Sequence, residues 1–424
     1  MDPIIPPPTP KRLCAGERAV ARCNALGVAP FSESAELLIR RYLTGAHDRA
    51  LTLLTDWMRA AGLQTRRDAM GNLVGRRAGT RPDAPSLLIG SHIDTVHNAG
   101  RYDGPLGVMM GIELAERLNS SASALPFAIE VIAFGDEEGS RFPGSMMCSR
   151  ALAGTLSEAA LDSVDRDGVS VAQALRDFGQ DPQRVAALRR APASVLAYLE
   201  AHIEQGPVLE AEELPVGVVT GIAAQLRMKA VFSGLAGHAG TSPMHLRRDA
   251  LAAAAAGILA VEAICRSRGS DLVGTVGHVS TSTSAFNVIV GRAEIFIDIR
   301  SGDTTLRDAA AKEIRAELGR IAEQRRMAVD LQVVQDLAGA PCAGHLMDLL
   351  DSCVAARGLR PFRLLSGAGH DAMVMAALAP MAMLFVRCAG GISHNPRESV
   401  EARDVAIAID VLEDFVRRLG TVSA

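Results

Sequence analysis

The sequence predicts an α/β protein with a mostly parallel sheet, interrupted by an inserted domain of β-α-β-β-α-β order. Short apolar segments at 86–90 and 127–134 alternate with helix-like segments, which is the pattern of a buried parallel sheet covered by helices. The stretch from about 214 to 335 contains a second, complete pattern, that of a ferredoxin-like sandwich. We therefore expect an α/β domain in two parts, 1–213 and 336–424, separated by an insertion at 214–335.

The elements before the insertion follow from the spacing of apolar residues. Residues 16–62 are predicted to be helical, because Leu51, Leu54 and Met58 recur at helical spacing and earlier apolar residues do the same. The pattern becomes strand-like from about Gln64. A helix is expected at 107–118, between the two apolar strands.

The insertion is predicted to begin with a strand at 216–232. A long alanine-rich helix should then run from Thr241 to about 268, with Thr241 or Ser242 as its cap and Pro243 in its first turn. The remaining elements are expected to be strands at 272–279 and 287–299, a helix at 304–326 and a strand at 327–334.

Composition and charge exclude several classes of protein. The chain has 424 residues and a net charge of −4, without the basic excess of a nucleic-acid-binding protein. Its longest uncharged apolar run, 372–386, is too short to span a membrane, which takes about 20 residues. Residues 1–8 lack the pattern of a secretory signal and are expected to form a tail. Seven cysteines without a Cys-x-x-Cys motif favour reduced thiols and a cytoplasmic location.

Four polar clusters follow predicted strands, where α/β sheets place their ligand sites. In the first cluster, His92 and Asp94 share a face of the strand, and Asp103 lies in a glycine-flanked loop nearby. A carboxylate beside a histidine can orient the ring for a metal. Taken alone, however, this cluster is equally well explained as a polar turn.

The other three clusters add acids and histidines. Asp136, Glu137 and Glu138 are consecutive, and such crowded carboxylates need protons or cations for balance. His202 and His394 each follow a further apolar strand, although a single histidine of this kind is more often an ordinary loop residue. Together, three histidines and at least two carboxylates suit a pair of zinc, manganese or nickel ions that activate water, with one acid left as a general base.

The insertion contributes a fifth group of candidate residues. His238 lies in a glycine-rich turn and could stabilise an oxyanion, or it could simply accompany the entry into the helix. Asn287 and Arg300 bracket a predicted strand. The arginine suits recognition of a carboxylate, although the sequence alone favours a surface salt bridge.

Several motifs, in this order, resemble those of the M20-type amidohydrolases. The motifs are Gly90-Ser-His-Ile-Asp-Thr-Val, Tyr102-Asp-Gly, Asp136-Glu-Glu-Gly, His202-Ile-Glu-Gln-Gly-Pro, Gly237-His-Ala-Gly-Thr, Asp298-Ile-Arg and Ser393-His-Asn-Pro. Within the family they are similar to the branch of allantoate amidohydrolases, N-carbamoyl-L-amino-acid hydrolases and β-ureidopropionases. The resemblance implies a catalytic α/β domain with two metals and an inserted lid and dimerisation domain, and thus a homodimer.

The resemblance also implies roles for individual residues. The ligands of two divalent ions (zinc, or manganese, nickel or cobalt) would be His92, Asp103, Glu138, His202 and His394, with Asp103 bridging. Glu137 would be the general base, Asp94 would orient His92, and His238 would stabilise the oxyanion. A small ureido carboxylate would be bound by Gln205, Asn287, Arg300 and His370.

The expected reaction is hydrolysis of a ureido C–N bond. His202 favours the allantoate and carbamoyl branch, because related dinuclear peptidases tend to have an acid there. Asn98-Ala99-Gly100 is similar to allantoate-type sequences, so allantoate is the expected substrate, and ammonia and ureidoglycine the products. The alternatives are an N-carbamoyl-L-amino-acid hydrolase or β-ureidopropionase, a dinuclear aminopeptidase or aminoacylase, and a non-catalytic binding protein. The sequence has neither the Gly-x-Ser-x-Gly motif of serine hydrolases nor a phosphate-binding glycine loop.

Overall fold

A computed structural model describes residues 13–121 and 124–422 of the chain. The tail expected at residues 1–8 lies outside the described residues. The strands are β1 (Gln64–Arg67), β2 (Leu73–Arg77), β3 (Ser86–His92), β4 (Ala128–Phe134), β5 (Val195–Ile203), β6 (Val216–Ile222), β7 (Ala224–Ser233), β8 (Gly237–His238), β9 (Leu272–Thr281), β10 (Val288–Ile289), β11 (Arg292–Ser301), β12 (Ala328–Leu337), β13 (Ala340–Pro341), β14 (Arg363–Ser366) and β15 (Met381–Val386). The α-helices are α1 (Ala15–Leu26), α2 (Gly45–Ala60), α3 (Pro105–Ser120), α4 (Met147–Ala153), α5 (Val171–Asp177), α6 (Val208–Ala211), α7 (Ala250–Ser267), α8 (Thr304–Gln324), α9 (Gly344–Ala356), α10 (Asp371–Met375) and α11 (Ala402–Val422).

The described chain forms two compact units. The larger contains the described residues up to Thr220, together with Cys342–Leu364 and those from His370 onward. The smaller contains Gly221–Pro341 and Leu365–Gly369.

The larger unit is built on a sheet with the strand order β1-β2-β4-β3-β5-β15-β6. The central strands β4, β3, β5 and β15 are parallel to one another, and antiparallel pairs flank them. Every residue of β3, β4 and β15 is buried, because helices cover both faces of a parallel sheet. The predicted α/β fold with a large, mostly parallel sheet is thereby confirmed.

The parallel centre of this sheet determines where polar residues gather. The strands β3, β4, β5 and β15 end at His92, Phe134, Ile203 and Val386. Because these strands are parallel, their carboxyl ends open at one edge of the sheet, where α/β proteins bind their ligands. The segments that leave this edge contain the acids and histidines singled out in the sequence.

The prediction of continuous helical structure at 16–62 was wrong in its middle part. The chain is helical in α1 and α2, but residues 27–44 between them form turns and extended segments. Ser32 stabilises this loop, since its hydroxyl accepts from the Ile39 N–H at 3.0 Å and donates to the Leu37 carbonyl at 2.7 Å. The apolar residues Leu38 and Tyr42 are buried without being helical.

The smaller unit contains a four-stranded antiparallel sheet with the order β12-β7-β11-β9. Along the chain, its elements follow the order β7-α7-β9-β11-α8-β12. Successive residues of β11 alternate between buried and less buried positions, as in a sheet with one face covered by helices. The buried side chains of β7, β11, α7 and α8 form one core.

Three predicted elements of this region have different bounds. The strand expected at 216–232 is two strands, because β6 pairs with β15 whereas β7 pairs with β11. The strand expected at 287–299 likewise divides into β10 and β11. The helix expected from Thr241 begins at Ala250, since Asp249 caps it by accepting from two backbone N–H groups, so the cap predicted at Thr241 or Ser242 was wrong.

Helix α7 is, among the residues that the structure describes, the one helix long and apolar enough to cross a membrane. It is not an uncharged apolar run, because Glu262 interrupts its sequence. Its residues Ala253, Val261 and Ile264 are buried in the core of the smaller unit. Part of its apolar surface therefore packs inside the protein.

All seven cysteines are free.

Candidate metal centre

Five potential metal-ligating side chains come together at the carboxyl edge of the larger unit's sheet. His92 is the last residue of β3 and His202 lies near the end of β5, whereas Asp103 lies in the loop before α3. Glu138 and His394 lie in the segments after β4 and β15. These are the five residues that the sequence analysis named as ligands.

The first group of ligand atoms consists of two histidine nitrogens and one carboxylate oxygen. His92 Nε2 and His202 Nε2 are 3.5 Å apart, and they lie 3.5 and 3.3 Å from Asp103 Oδ1. His92 Nδ1 lies 3.1 Å from the carbonyl of Asp94, and His202 Nδ1 lies 2.9 Å from that of Ile203. Because a carbonyl only accepts, each Nδ1 carries a hydrogen, so loss of the proton from Nε2 leaves a lone pair that faces Asp103. Three converging lone pairs form a site for a cation.

The second group shares the same aspartate but uses its other oxygen. Asp103 Oδ2 lies 3.2 Å from His394 Nε2, which in turn lies 3.4 Å from Glu138 Oε1. Asp103 therefore offers one oxygen to each group, as a carboxylate that bridges two ions does. The nitrogen and oxygen donors of both groups are of the kind that zinc, manganese, nickel and cobalt accept.

The loop that carries Asp103 approaches the ring of His92 closely. Gly104 has φ +84°, and a Cβ at this position would lie 2.5 Å from the ring of His92. Gln205 Nε2 and Ser393 Oγ donate to Asp103 Oδ2 at 2.7 and 2.6 Å. The side chain of Gln205, which the sequence analysis assigned to the substrate, thus contacts the carboxylate shared by the two groups.

The pKa shifts in this cluster follow from its crowding. Burial lowers the pKa of His92, but hydrogen bonds to Asp103 and Asp94 hold it well above its usual value. Burial raises the pKa of Asp103, but its contacts with the three histidines hold it well below the usual range. The hydrogen bond to Asp103 raises the pKa of His394 to about 9. Positive charge is therefore favoured around Asp103, and a bound cation supplies such charge.

Glu137 lies beside these two groups and, with His92 and Glu138, forms a further group of potential ligand atoms. Its Oε2 is 4.0 Å from His92 Nε2, and burial raises its pKa well above the usual value. Burial also raises the pKa of Glu138, to about 7. The carboxylate of Asp94 accepts from the backbone N–H groups of both glutamates at 3.1 Å, while its Oδ1 lies 3.5 Å from His92 Nδ1. Asp94 therefore links the backbone of the two glutamates to the ring of His92.

The comparison with family models decides the family. The model described as Peptidase family M20/M25/M40 matches residues 88–418, which is more than half of the chain. The chain belongs to this family. The resemblance to M20-type amidohydrolases seen in the sequence is confirmed.

Relatives of this M20 hydrolase act on carbon–nitrogen bonds other than peptide bonds. The chain is 41% identical over 405 residues to the N-carbamoyl-L-amino acid amidohydrolase of Geobacillus stearothermophilus, which covers 96% of this chain and 98% of that protein. It is 39% identical to allantoate deiminase 1 of Glycine max, covering 95% of this chain and 89% of the relative. The crystal structure of an amidase of the hydantoinase/carbamoylase family from Burkholderia multivorans has a TM-score of 0.88 at 31% identity, covering 95% of this chain and 97% of that one.

His370 belongs to another group of potential ligand side chains at the same edge of the M20 hydrolase's sheet. The edge of its ring packs on His202 with ring centroids 4.5 Å apart. Burial and the neighbouring charge of His202 hold the pKa of His370 well below its usual value. Glu200 completes the group and accepts from Ser91 Oγ, Tyr198 OH and the Ala372 N–H at 2.9–3.1 Å.

The other three predicted site residues belong to the smaller unit. His238 lies in β8, and the adjacent Ala239 N–H donates to the carbonyl of Asn287 at 2.9 Å, so these two predicted residues lie close together. Arg300 lies near the end of β11. Its guanidinium forms two hydrogen bonds with Asp298, at 2.8 and 3.0 Å, and a third with the carbonyl of Gly367 at 2.6 Å.

The sequence analysis gave no role to three residues around the ligand groups: Glu200, Ser393 and Glu398. Glu200 had a detectable signal, because it is a charged residue inside the apolar strand β5, two positions before His202. Ser393 and Glu398 lie in the polar cluster that contains His394, but nothing local in that cluster indicates which loop they contact.

Proposed function

We propose that this M20 hydrolase is a metal-dependent amidohydrolase that cleaves a ureido C–N bond, with allantoate as its substrate. The observation that carries the proposal is that Asp103 offers one oxygen to each of two ligand groups, with the buried Glu137 beside them. The ureido-acid relatives support the substrate class. Hydrolysis of allantoate would release ammonia, carbon dioxide and ureidoglycine.

The proposed cofactor is a pair of divalent ions, either zinc or one of manganese, nickel and cobalt. His92, Asp103 and His202 would hold one ion, and Asp103, Glu138 and His394 the other. The donors fit such ions, because the Nε2 atoms of His92, His202 and His394 lie 3.2–3.5 Å from the two oxygens of Asp103. When bound, the ions would polarise the ureido carbonyl and lower the pKa of a water molecule.

Glu137 is the proposed general base. Its carboxylate would take a proton from the attacking water, whose oxygen forms a bond to the ureido carbon. The bond from that carbon to the terminal nitrogen then breaks, and Glu137 returns the proton so that ammonia leaves. The carbamate that remains loses carbon dioxide. Asp94 would keep Glu137 in place through its hydrogen bond to the backbone N–H.

We assign the predicted insertion at 214–335 the role of a ferredoxin-like lid and dimerisation domain in a cytoplasmic homodimer. The βαββαβ order of the smaller unit and its antiparallel sheet support this assignment. His238 would donate a hydrogen bond to the oxyanion. Gln205, Asn287 and His370 would contact the substrate, and Arg300 would bind its carboxylate. The guanidinium of Arg300 donates two hydrogen bonds to the carboxylate of Asp298, and it would bind the substrate carboxylate with the same geometry.

A second candidate substrate is an N-carbamoyl-L-amino acid. It is supported by the 41% identity to the Geobacillus stearothermophilus amidohydrolase over nearly the whole chain. The same residues would act on this substrate, because it has the same ureido group and a carboxylate. Its products would be ammonia, carbon dioxide and the free amino acid.

A screen for ammonia release tests the proposal. The purified chain is supplied with manganese or zinc and assayed with allantoate, several N-carbamoyl-L-amino acids and N-carbamoyl-β-alanine. We expect the highest kcat/KM for allantoate. A clear preference for a carbamoyl amino acid would reassign the substrate, and release of an amino acid from peptides without ammonia would refute the reaction.

A further inference from the structure

Glu398 is a buried carboxylate that contacts the loop carrying Asp103, although the two residues are 295 positions apart. We propose that Glu398 is a positioning residue, which holds Asp103 so that each of its oxygens faces one ligand group. The inference rests on the metal centre of the proposed function. It adds a residue for which neither the sequence motifs nor the reaction chemistry supplies a role.

The first contact is made to the backbone of the aspartate itself. Glu398 Oε1 accepts from the N–H groups of Tyr102 and Asp103, at 2.6 and 3.0 Å. One carboxylate oxygen has two lone pairs and can accept both hydrogen bonds. Two such bonds from consecutive N–H groups fix the orientation of the peptide from which the Asp103 side chain projects.

The second contact reaches the carboxylate of Asp103 through Ser393. The hydroxyl of Ser393 donates to Asp103 Oδ2 at 2.6 Å and lies 3.2 Å from Glu398 Oε2. Ser393 directly precedes His394 in the chain, and both contact the same oxygen of Asp103. Glu398 therefore contacts the backbone of Asp103 directly and, through Ser393, the oxygen of Asp103 that faces the second ligand group.

Gly100, which has no side chain, leaves room for Glu398. A Cβ atom on Gly100 would overlap the Cβ and Cδ atoms of Glu398. The φ of Gly100 is not in the left-handed region, so its backbone would accept alanine if the space were free. The absence of a side chain at position 100 is thus explained by the space that Glu398 occupies, and this gives a second, independent way to displace the glutamate.

A purely structural role, in which Glu398 only ties two loops together, makes a different prediction from a positioning role. Loss of a loop contact lowers stability but leaves the intrinsic affinity for a metal nearly unchanged. Loss of positioning weakens metal binding, and residues that orient metal ligands typically contribute about 10–100-fold in affinity. Direct titration with a metal separates the two roles without any measurement of turnover.

The experiment is a titration of the chelator-treated full-length chain with Co²⁺, followed by visible absorption, which reports the coordination of the ion. We expect Glu398→Ala to weaken Co²⁺ binding by about 10–100-fold. Glu398→Gln should restore affinity to within about threefold of the wild type, because its oxygen can accept from both N–H groups while its amide donates to Ser393.

The position of Gly100 supplies a double-mutant test. Gly100→Ala alone should weaken Co²⁺ binding about as much as Glu398→Ala, because the new methyl group displaces the glutamate. The double variant pairs Gly100→Ala with Glu398→Gly, because the Cβ of an alanine at position 398 would still lie 2.4 Å from the new methyl group. With that clash gone, its affinity should be no weaker than that of Glu398→Gly alone. Additive losses would overturn the inference, since they would mean that Gly100 acts independently of Glu398.

Two control variants match these changes away from the cluster. Glu113 is also buried, and it pairs with Arg18 and Arg22, so Glu113→Gln should lower stability without changing Co²⁺ affinity. Gly319 has open space for a Cβ within helix α8, so Gly319→Ala should leave Co²⁺ affinity unchanged and should not lower stability.

The outcomes separate the inference from the proposed function. If the wild type binds Co²⁺ and Glu398→Ala binds it equally well, the positioning role is refuted while the metal centre stands. The same holds if Glu398→Gln loses as much affinity as Glu398→Ala. If the wild type binds no divalent ion at all, both the metal centre and the role of Glu398 are refuted.

Discussion

The exchange of Glu137 for glutamine tests whether Glu137 is the general base and the neighbouring Glu138 a metal ligand. Glu137 Oε2 lies 4.0 Å from the nearest histidine nitrogen, whereas Glu138 Oε1 lies 3.4 Å from His394 Nε2. Glutamine has nearly the same shape as glutamate, so the packing around this residue, which is 8% exposed, should persist. Glu137→Gln should therefore remove the proposed base and leave the ligands in place.

The size of the effect follows from the role of the residue. A general acid–base group contributes about 10²–10⁴-fold to the rate, which corresponds to about 2.7–5.4 kcal/mol of transition-state stabilisation. We expect kcat for ammonia release to fall by this factor while KM changes little, because Glu137 contributes no proposed contact to the bound substrate. Glu138→Gln should instead lose bound metal, since Glu138 belongs to the second ligand group.

The assay measures ammonia release and bound metal on the same preparations of the wild type and both variants. Metal content is determined by elemental analysis after removal of free ions. Near-wild-type turnover of Glu137→Gln with metal still bound would refute its role as the base. Loss of metal from Glu137→Gln would identify it as a ligand instead.

Three further predictions concern metal removal, substrate binding and pH. Dialysis against a chelator should abolish activity and lower the melting temperature, because a ligand at 100 times its Kd stabilises a fold by about 2.7 kcal/mol. Added manganese or zinc should restore both activity and melting temperature. Unchanged activity after complete metal removal would exclude the mechanism. Arg300→Ala should raise KM for carboxylate substrates about tenfold or more with a smaller change in kcat, which steady-state kinetics will measure, and an unchanged KM would reject the carboxylate contact. Burial lowers the pKa of His47 to about 3, so the unfolded chain, with its ordinary value near 6.5, binds the proton first as the pH falls. The free energy of unfolding should thus fall as the pH falls from 6.5 to 3. Urea unfolding at several pH values measures this dependence, and for His47→Leu the slope of the free energy of unfolding against pH should be shallower by up to about 1.4 kcal/mol per pH unit. Equal slopes for the variant and the wild type would show that His47 is not buried in its neutral form.

The location of the site was predictable from the sequence because strand ends are easy to find. Continuous apolar runs such as β15 indicate buried parallel strands, and the residues just beyond them must meet at one edge. His92 and His202 follow this rule directly, since each lies at the end of its own strand. The rule is independent of the length of chain between the strands, which is why it brought distant motifs together.

The supporting contacts were not predictable, because they depend on which atoms meet across long separations. Glu398 contacts a loop 295 residues earlier in the chain, and no local pattern reports such a pairing. The motif of Gln205 likewise did not indicate that its amide donates to Asp103. The side-chain oxygen that each histidine faces is likewise a property of the folded loop.

The bounds of several elements also depended on details that periodicity does not contain. Residues 216–232 have an uninterrupted strand pattern, but the chain changes sheets at Ala223, between β6 and β7. Pro243 is compatible with the first turn of a helix, yet Asp249 provides the cap and α7 begins at Ala250. In both cases the local sequence is compatible with two structures, and contacts with distant parts of the chain determine which of them forms.

Anomalous diffraction from crystals of the chain grown with manganese or zinc tests the central claim most directly. We expect two anomalous peaks about 3.5–4 Å apart, one on each side of Asp103, with His92 and His202 at the first and Glu138 and His394 at the second. A single peak that does not contact Asp103, or no peak among these side chains at saturating metal, would contradict the proposed centre.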